Sequence, residues 1–334
     1  MIFHPPILAL LFSSWLAVAV LGAGAVFALR LLRDWDRTSG SQRQIGFERA
    51  TVLVSTAVAL VLALEAASLI LFVATADRMA SLFVGAMCAV GTLQADPWGF
   101  PTLWASIAVF FAAALWLVLD RVDGMGRDWP LTRMKYAALL AVLPLVLAEA
   151  GLKTAYFWNL RADTITSCCG RLFEDGPAAS GAGGDLAALD PRLALALLFG
   201  TSGLAIVSGL LAGRRRLAQI AQGGVATLAF AVALAGIVSV VSLYVYEQPH
   251  HHCPFCLLKA EYGHFGFALY GPLFLGTAAG LAAGLLGLVP RRASLAVALP
   301  AVGATAARLS AVGFALFALA CLWAIGGSHL VLLG

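Results

Sequence analysis

ATVLVSTAVALVLALEAASLILFVAT, residues 50–75, decides the class of fold. It runs for 26 residues with one charged side chain, Glu65. A helix that crosses the hydrocarbon core of a bilayer needs about 20 apolar residues. The run is continuous rather than alternating, so it reads as a helix and not as barrel strands.

Seven further stretches of the same kind lie outward from it: Pro6–Leu32, Pro101–Leu119, Tyr136–Trp158, Leu193–Gly213, Ala221–Val245, Leu257–Leu288 and Ala307–Leu332. The expected fold is therefore all-α, a polytopic membrane protein of about eight transmembrane helices. The leader Met-Ile-Phe-His-Pro-Pro carries no Lys or Arg, so the first stretch reads as a retained span rather than a signal peptide. Composition agrees: 61% of the 334 residues are hydrophobic and 11% are charged, against roughly 25% charged in a soluble domain. That excludes a cytosolic enzyme and a secreted disulfide scaffold. A net charge of +4 spread over several loops also excludes nucleic acid as a partner.

The cations set an orientation. Arg30, Arg33, Arg37, Arg43 and Arg49 follow the first span, and Arg121, Arg127, Arg133 and Lys135 follow the third. Arg214, Arg215 and Arg216 follow the fifth, and Arg291, Arg292 and Arg308 the seventh. Fifteen of the 21 Lys and Arg thus fall on one side. Cytoplasmic loops collect positive charge, so both termini are expected on the outer, periplasmic side of a bacterial inner membrane. The outer loops, Ala76–Phe100, Asn159–Arg192 and Tyr246–Cys256, are acidic instead. We expect one integral membrane domain over 1–334, with four-helix halves at 1–158 and 193–334 joined by the outer loop 159–192. In each half the outer loop after the second span carries cysteine, as a parallel duplication would.

Cysteine and histidine are segregated. Cys88, Cys168, Cys169, Cys253 and Cys256 all fall at the outer side, and only Cys321 lies within a span. No Cys or His falls in a basic loop. The sharpest motif is His250-His251-His252-Cys253-Pro254-Phe255-Cys256. Pro is favoured at the first helical position, so Cys253 is expected to cap the seventh span, where the helix dipole would lower its pKa. A Cys-x-x-Cys pair there suits thiol–disulfide exchange. The same thiols with His250, His251 and His252 could instead hold copper or zinc. Cys168-Cys169 could relay electrons by exchange or staple the loops.

Charges at membrane depth are costly and usually functional. Glu149 and Lys153 stand i, i+4 in the fourth span, the favourable order for an ion pair. Glu65 has no partner in its own helix and is expected to handle a proton or a ligand. Lys259 and Glu261 follow the cysteine pair, and His264 falls three helical turns after Cys253, nearly on the same face. The glycines Gly276, Gly280 and Gly284 form a ridge for close helix packing.

The run Cys253-Pro254-Phe255-Cys256-Leu257-Leu258-Lys259 resembles the cysteine pair of the membrane disulfide-bond-forming quinone reductases and, more distantly, the vitamin K epoxide reductases. The resemblance spans about seven residues, and those families use a four-helix bundle. It implies that Cys253 and Cys256 are the quinone-proximal pair, that Lys259 polarises the quinone, and that Cys168 and Cys169 are the loop pair. The leading expectation is a quinone-linked thiol–disulfide oxidoreductase, with Cys253, Cys256, Cys168 and Cys169 catalytic and Lys259, His264 and Glu65 around the quinone. The alternative is a copper- or zinc-handling protein, its metal on His250, His251, His252, Cys253 and Cys256. A third expectation is a non-catalytic subunit of a respiratory complex. Partners would be the lipid bilayer, a periplasmic thiol or metal-carrier protein, or membrane complex subunits.

Overall fold

The computed structural model describes residues 3–36, 41–126, 128–161, 164, 166, 189–330 and 332. Among these the chain is helical and contains no strand. The helices are α1 (Pro5–Asp34), α2 (Gln42–Met79), α3 (Ala89–Gln94), α4 (Gly99–Asp123), α5 (Thr132–Asn159), α6 (Pro191–Leu211), α7 (Arg216–Tyr246), α8 (Gly266–Leu288) and α9 (Ala298–Gly327). All but α3 are long and apolar enough to cross a membrane, which gives eight candidate spans among the described residues. Each of the eight expected stretches falls on one of them.

Local chemistry sets several boundaries. Pro5 and Pro6 open α1, where a missing N–H costs nothing. The Ser41 hydroxyl accepts from Gln44 N at 3.3 Å and starts α2. Asp190 accepts from the amides of Arg192 and Leu193 at 2.9 and 3.0 Å and starts α6 on Pro191.

The seventh span departs from expectation. It was expected from Leu257, but α8 begins at Gly266. Residues Cys256–Leu258 and Ala260–Tyr262 form single 3₁₀ turns. Gly263 (φ 61°) and His264 (φ 55°) then take left-handed backbone, which no α-helix continues through. Cys253 therefore lies in a loop and caps no span.

Contacts divide the chain into two compact units. The first comprises Met1–Val84, Thr92–Ile165 and Arg291–Leu299. Here α1 packs on α2 and α5, and α4 packs on the same two helices, closing a four-helix ring. Its core holds Leu21, Val58, Trp116, Tyr136, Leu139 and Val146. Lys135 joins α4 to α5 at one end, 2.9 Å from Asp120 and 3.0 Å from Asp123.

The second unit comprises Gly85–Gly91, Thr166–Pro290 and Pro300–Gly334. Helix α7 lies between α6 and α8. A buried amide ties three helices together. Gln222 Nε2 donates to Ala205 O at 3.2 Å and Ser310 Oγ at 3.0 Å, and Ser208 Oγ donates to Gln222 Oε1 at 2.6 Å. The glycine ridge of α8 faces Gly313, Ala226 and Gly223. A Cβ on Gly313 would lie 2.5 Å from Gly276 Cα and 2.8 Å from Pro272 O, with backbone on both sides and no side chain free to yield. Gly313→Leu should therefore cost about 3 kcal/mol, at the top of the overpacking range. Gly326→Leu, with open space around it, should stay within about 0.5 kcal/mol. Thermal unfolding of both variants in detergent would check this, and equal stability would contradict the close α8–α9 packing.

Candidate functional site

Helix α7 is regular to Gly236, then widens into a π-helical stretch over Ile237–Val241 before ending at Tyr246. Such turns recur at functional sites. Here it carries the Val238 carbonyl, which accepts from the Ser242 hydroxyl at 3.1 Å and lies 2.9 Å from His252 Nδ1. A carbonyl can only accept, so Nδ1 carries the hydrogen. Glu247 closes the helix in left-handed backbone, and its Oε1 accepts from His329 N at 2.9 Å.

The loop that follows is pinned at its carbonyls. The Tyr246 hydroxyl donates to Cys253 O at 2.5 Å, and the Tyr270 hydroxyl donates to Pro254 O at 2.9 Å. The Tyr246 ring meets His251 edge-on at 4.3 Å and Tyr262 at 4.5 Å. The Lys259 ammonium donates to Met87 O and so holds the segment Gly85–Gly91 in place. Gly85 is required there: at φ 87° it lies so close to Thr166 O that a Cβ would sit 2.0 Å away.

These contacts bring three thiols together. The Sγ atoms of Cys88, Cys253 and Cys256 lie within 4.8 Å of one another, and all three residues are buried. Cys88 Sγ and Cys253 Sγ are 3.5 Å apart, well beyond the roughly 2 Å of a disulfide. The Cys253 thiol is pushed well above its usual pKa, first by its hydrogen bond with Cys256, while the Cys88 contact pulls it down and burial pushes it up. The lowering expected from a helix N-terminus is absent because no span begins at Cys253.

The expected site residues divide as follows. Cys253 and Cys256 are brought together, and Cys88 joins them. Cys168 and Cys169 lie outside the described residues. His250 is exposed, and His252 is buried on α7. His251 is half-buried with Nε2 lacking a hydrogen-bond partner among the described residues, and desolvation lowers its pKa. The metal-capable group among the described residues consists of the three sulfurs, without an imidazole. Lys259 serves as the clamp on Met87. His264 is exposed, its Nδ1 2.7 Å from Leu258 O, and shares no helix with Cys253.

Glu65 belongs to the first unit, where it sits in a buried cluster to which every helix of the ring contributes a side chain. Lys153 Nζ lies 2.5 Å from Glu149 Oε1 and 3.7 Å from Glu65 Oε2. It donates to Ser14 Oγ on α1 at 2.8 Å. Ser68 on α2 donates to Glu65 Oε2 at 3.2 Å, and Ser106 on α4 donates to Glu149 Oε1 at 2.7 Å. Both acids and the lysine are buried. Glu65 is expected to stand without a local partner; its own helix supplies the Ser68 hydroxyl but no counter-charge, and the ammonium comes from α5.

The sequence alone does not mark Cys88 as a site residue. Its signal was its position at the outer side of the first half of a chain with only six cysteines. Among known proteins, no family model, no curated protein and no solved structure matches this chain.

Proposed function

We propose that the chain is a membrane protein that handles a thiophilic metal ion, Cu(I) or Zn(II), on the thiolates of Cys88, Cys253 and Cys256. The observation that carries this reading is the spacing of the sulfurs. Metal–sulfur bonds of about 2.3 Å place tetrahedrally arranged sulfurs about 3.8 Å apart. The observed 3.5 Å between Cys88 and Cys253, with all three within 4.8 Å, brackets that value. Soft thiolates select such ions, and three protein ligands leave a fourth position through which a carrier protein could deliver or collect the ion. The distribution of the basic loops supports a periplasmic face of a bacterial inner membrane for the thiols, and a periplasmic metal carrier would be the fitting partner.

Anaerobic titration of the purified full chain with Cu(I), and separately with Zn(II), tests this. One ion per chain is expected, with affinity rising with pH because each thiol gives up its proton on binding. No stoichiometric uptake of either ion would sink the proposal.

A second reading rests on the Cys88–Cys253 approach. A Cys253–Cys256 disulfide attacked by the Cys88 thiolate would give a Cys88–Cys253 bond and release the Cys256 thiolate. Re-oxidation of a dithiol by quinone would yield a disulfide and a hydroquinone, two electrons and two protons passing across. In this reading Cys168 and Cys169 supply the electrons, and Lys259, which follows the cysteine pair in the same unit, lies toward the quinone. Loss of two free thiols per chain on adding quinone to metal-free protein would favour it.

A further inference from the structure

The first unit buries two carboxyls and one ammonium, and the count does not balance. Glu65 is 2% exposed and Glu149 and Lys153 are 0% exposed. Among the described residues, everything else that reaches their charged atoms is a serine: Ser14 from α1, Ser68 from α2 and Ser106 from α4. The neighbours on α1 and α4 therefore contribute no charge. With both carboxyls ionised the cluster would hold one uncompensated negative charge in the middle of the helix ring. Burying such a charge costs several kcal/mol, and a group so placed neutralises instead. A metal ion does not fit the role. Lys153 Nζ already occupies the point between the two carboxyls, with Ser14 Oγ 2.8 Å away and Ser68 Oγ 3.5 Å away. The cation that remains is a proton.

The hydrogen bonds say which acid carries it. Glu149 receives Lys153 and Ser106 on Oε1 and faces Ser14 from Oε2 at 3.4 Å. Two donors thus meet Oε1 at 2.5 and 2.7 Å, and the Ser14 hydroxyl lies within reach of Oε2, as suits a carboxylate. Glu65 gathers Ser14, Ser68 and the distant Lys153 on Oε2 alone. Its Oε1 is buried and has no hydrogen-bond partner among the described residues.

We propose that Glu65, Glu149 and Lys153 form a binding site for one exchangeable proton, carried on Glu65, with Glu149 as the standing carboxylate of Lys153. Ser14 connects the two acids. Its oxygen accepts from Lys153, and its single hydrogen has Glu65 Oε2 at 3.3 Å and Glu149 Oε2 at 3.4 Å. Rotating that hydroxyl transfers support from one acid to the other without moving a helix. Loss of the proton leaves a Glu65 carboxylate and a free H⁺, and no electron moves. The site belongs to the first unit and does not depend on the thiol cluster.

Infrared spectroscopy of the full chain in lipid nanodiscs tests the proposal. At neutral pH the wild-type-minus-Glu65→Gln difference spectrum should contain one neutral-carboxyl C=O band, which moves to lower frequency in D₂O. Glu149→Gln should lose the same band, because Lys153 then takes Glu65 as its carboxylate. A wild-type spectrum without a neutral-carboxyl band overturns the proposal whether or not the variants fold. So does a band that persists in Glu65→Gln or Glu149→Gln, or one that D₂O leaves unmoved.

Discussion

Cys88→Ser is expected to weaken binding of Cu(I) or Zn(II) by more than about 100-fold, although Cys88 lies 165 positions from Cys253 in the chain. Losing residues that merely orient a ligand typically costs 10–100-fold in metal affinity, and Cys88 is read here as a ligand itself. Serine keeps the size and burial of the side chain but offers a hard hydroxyl that stays protonated, so two thiolates remain for a soft ion. Cys321→Ser should leave the affinity unchanged. Cys321 is buried in α9 and belongs to no metal-capable group among the described residues. Competition against a chromophoric chelator would measure both. Unchanged affinity in Cys88→Ser would remove it from the ligand set and leave a two-thiol pair, which fits exchange better than metal storage.

The second large effect concerns Lys153. Lys153→Met is expected to destabilise the first unit by about 3–5 kcal/mol, as removing one partner of a buried pair does. The substitution leaves Glu149 and Glu65 buried together with serine donors only. Glu65→Gln should cost less than about 1 kcal/mol, since the Lys153–Glu149 pair survives intact. Unfolding by denaturant in mild detergent compares the two. Equal losses would mean that Lys153 serves both acids alike and would contradict its assignment to Glu149.

The spans were legible in the sequence because the signal is cumulative: about 20 apolar residues outweigh any one polar residue among them. Glu65 did not hide α2, and Pro144 did not hide α5. The start of α8 is not legible in the sequence, for the opposite reason. Between Cys256 and Gly266 a few local features outweigh average hydropathy, namely two single turns and two left-handed residues. The helical alignment of His264 with Cys253 and the dipole effect on the thiol both require a continuous helix and fall with it. The composition of the sites was only half legible. Cys-x-x-Cys and Glu149–Lys153 are close in sequence and could be read from spacing. Cys88, Ser14 and Ser106 reach their sites through tertiary packing, which no local pattern records.

The clamp of Lys259 on the Met87 carbonyl also sets an order of events during synthesis. The ligand from residues 85–91 enters the membrane with the first spans, whereas Cys253 and Cys256 emerge only after α7 has been made. No nascent chain shorter than that can hold the three-sulfur centre. A metal ion bound there as proposed would be loaded only after insertion, and a truncated or misthreaded chain that lacks the later loop would present one thiol of the cluster instead of three. Occupancy of the centre would then distinguish completed molecules from unfinished ones.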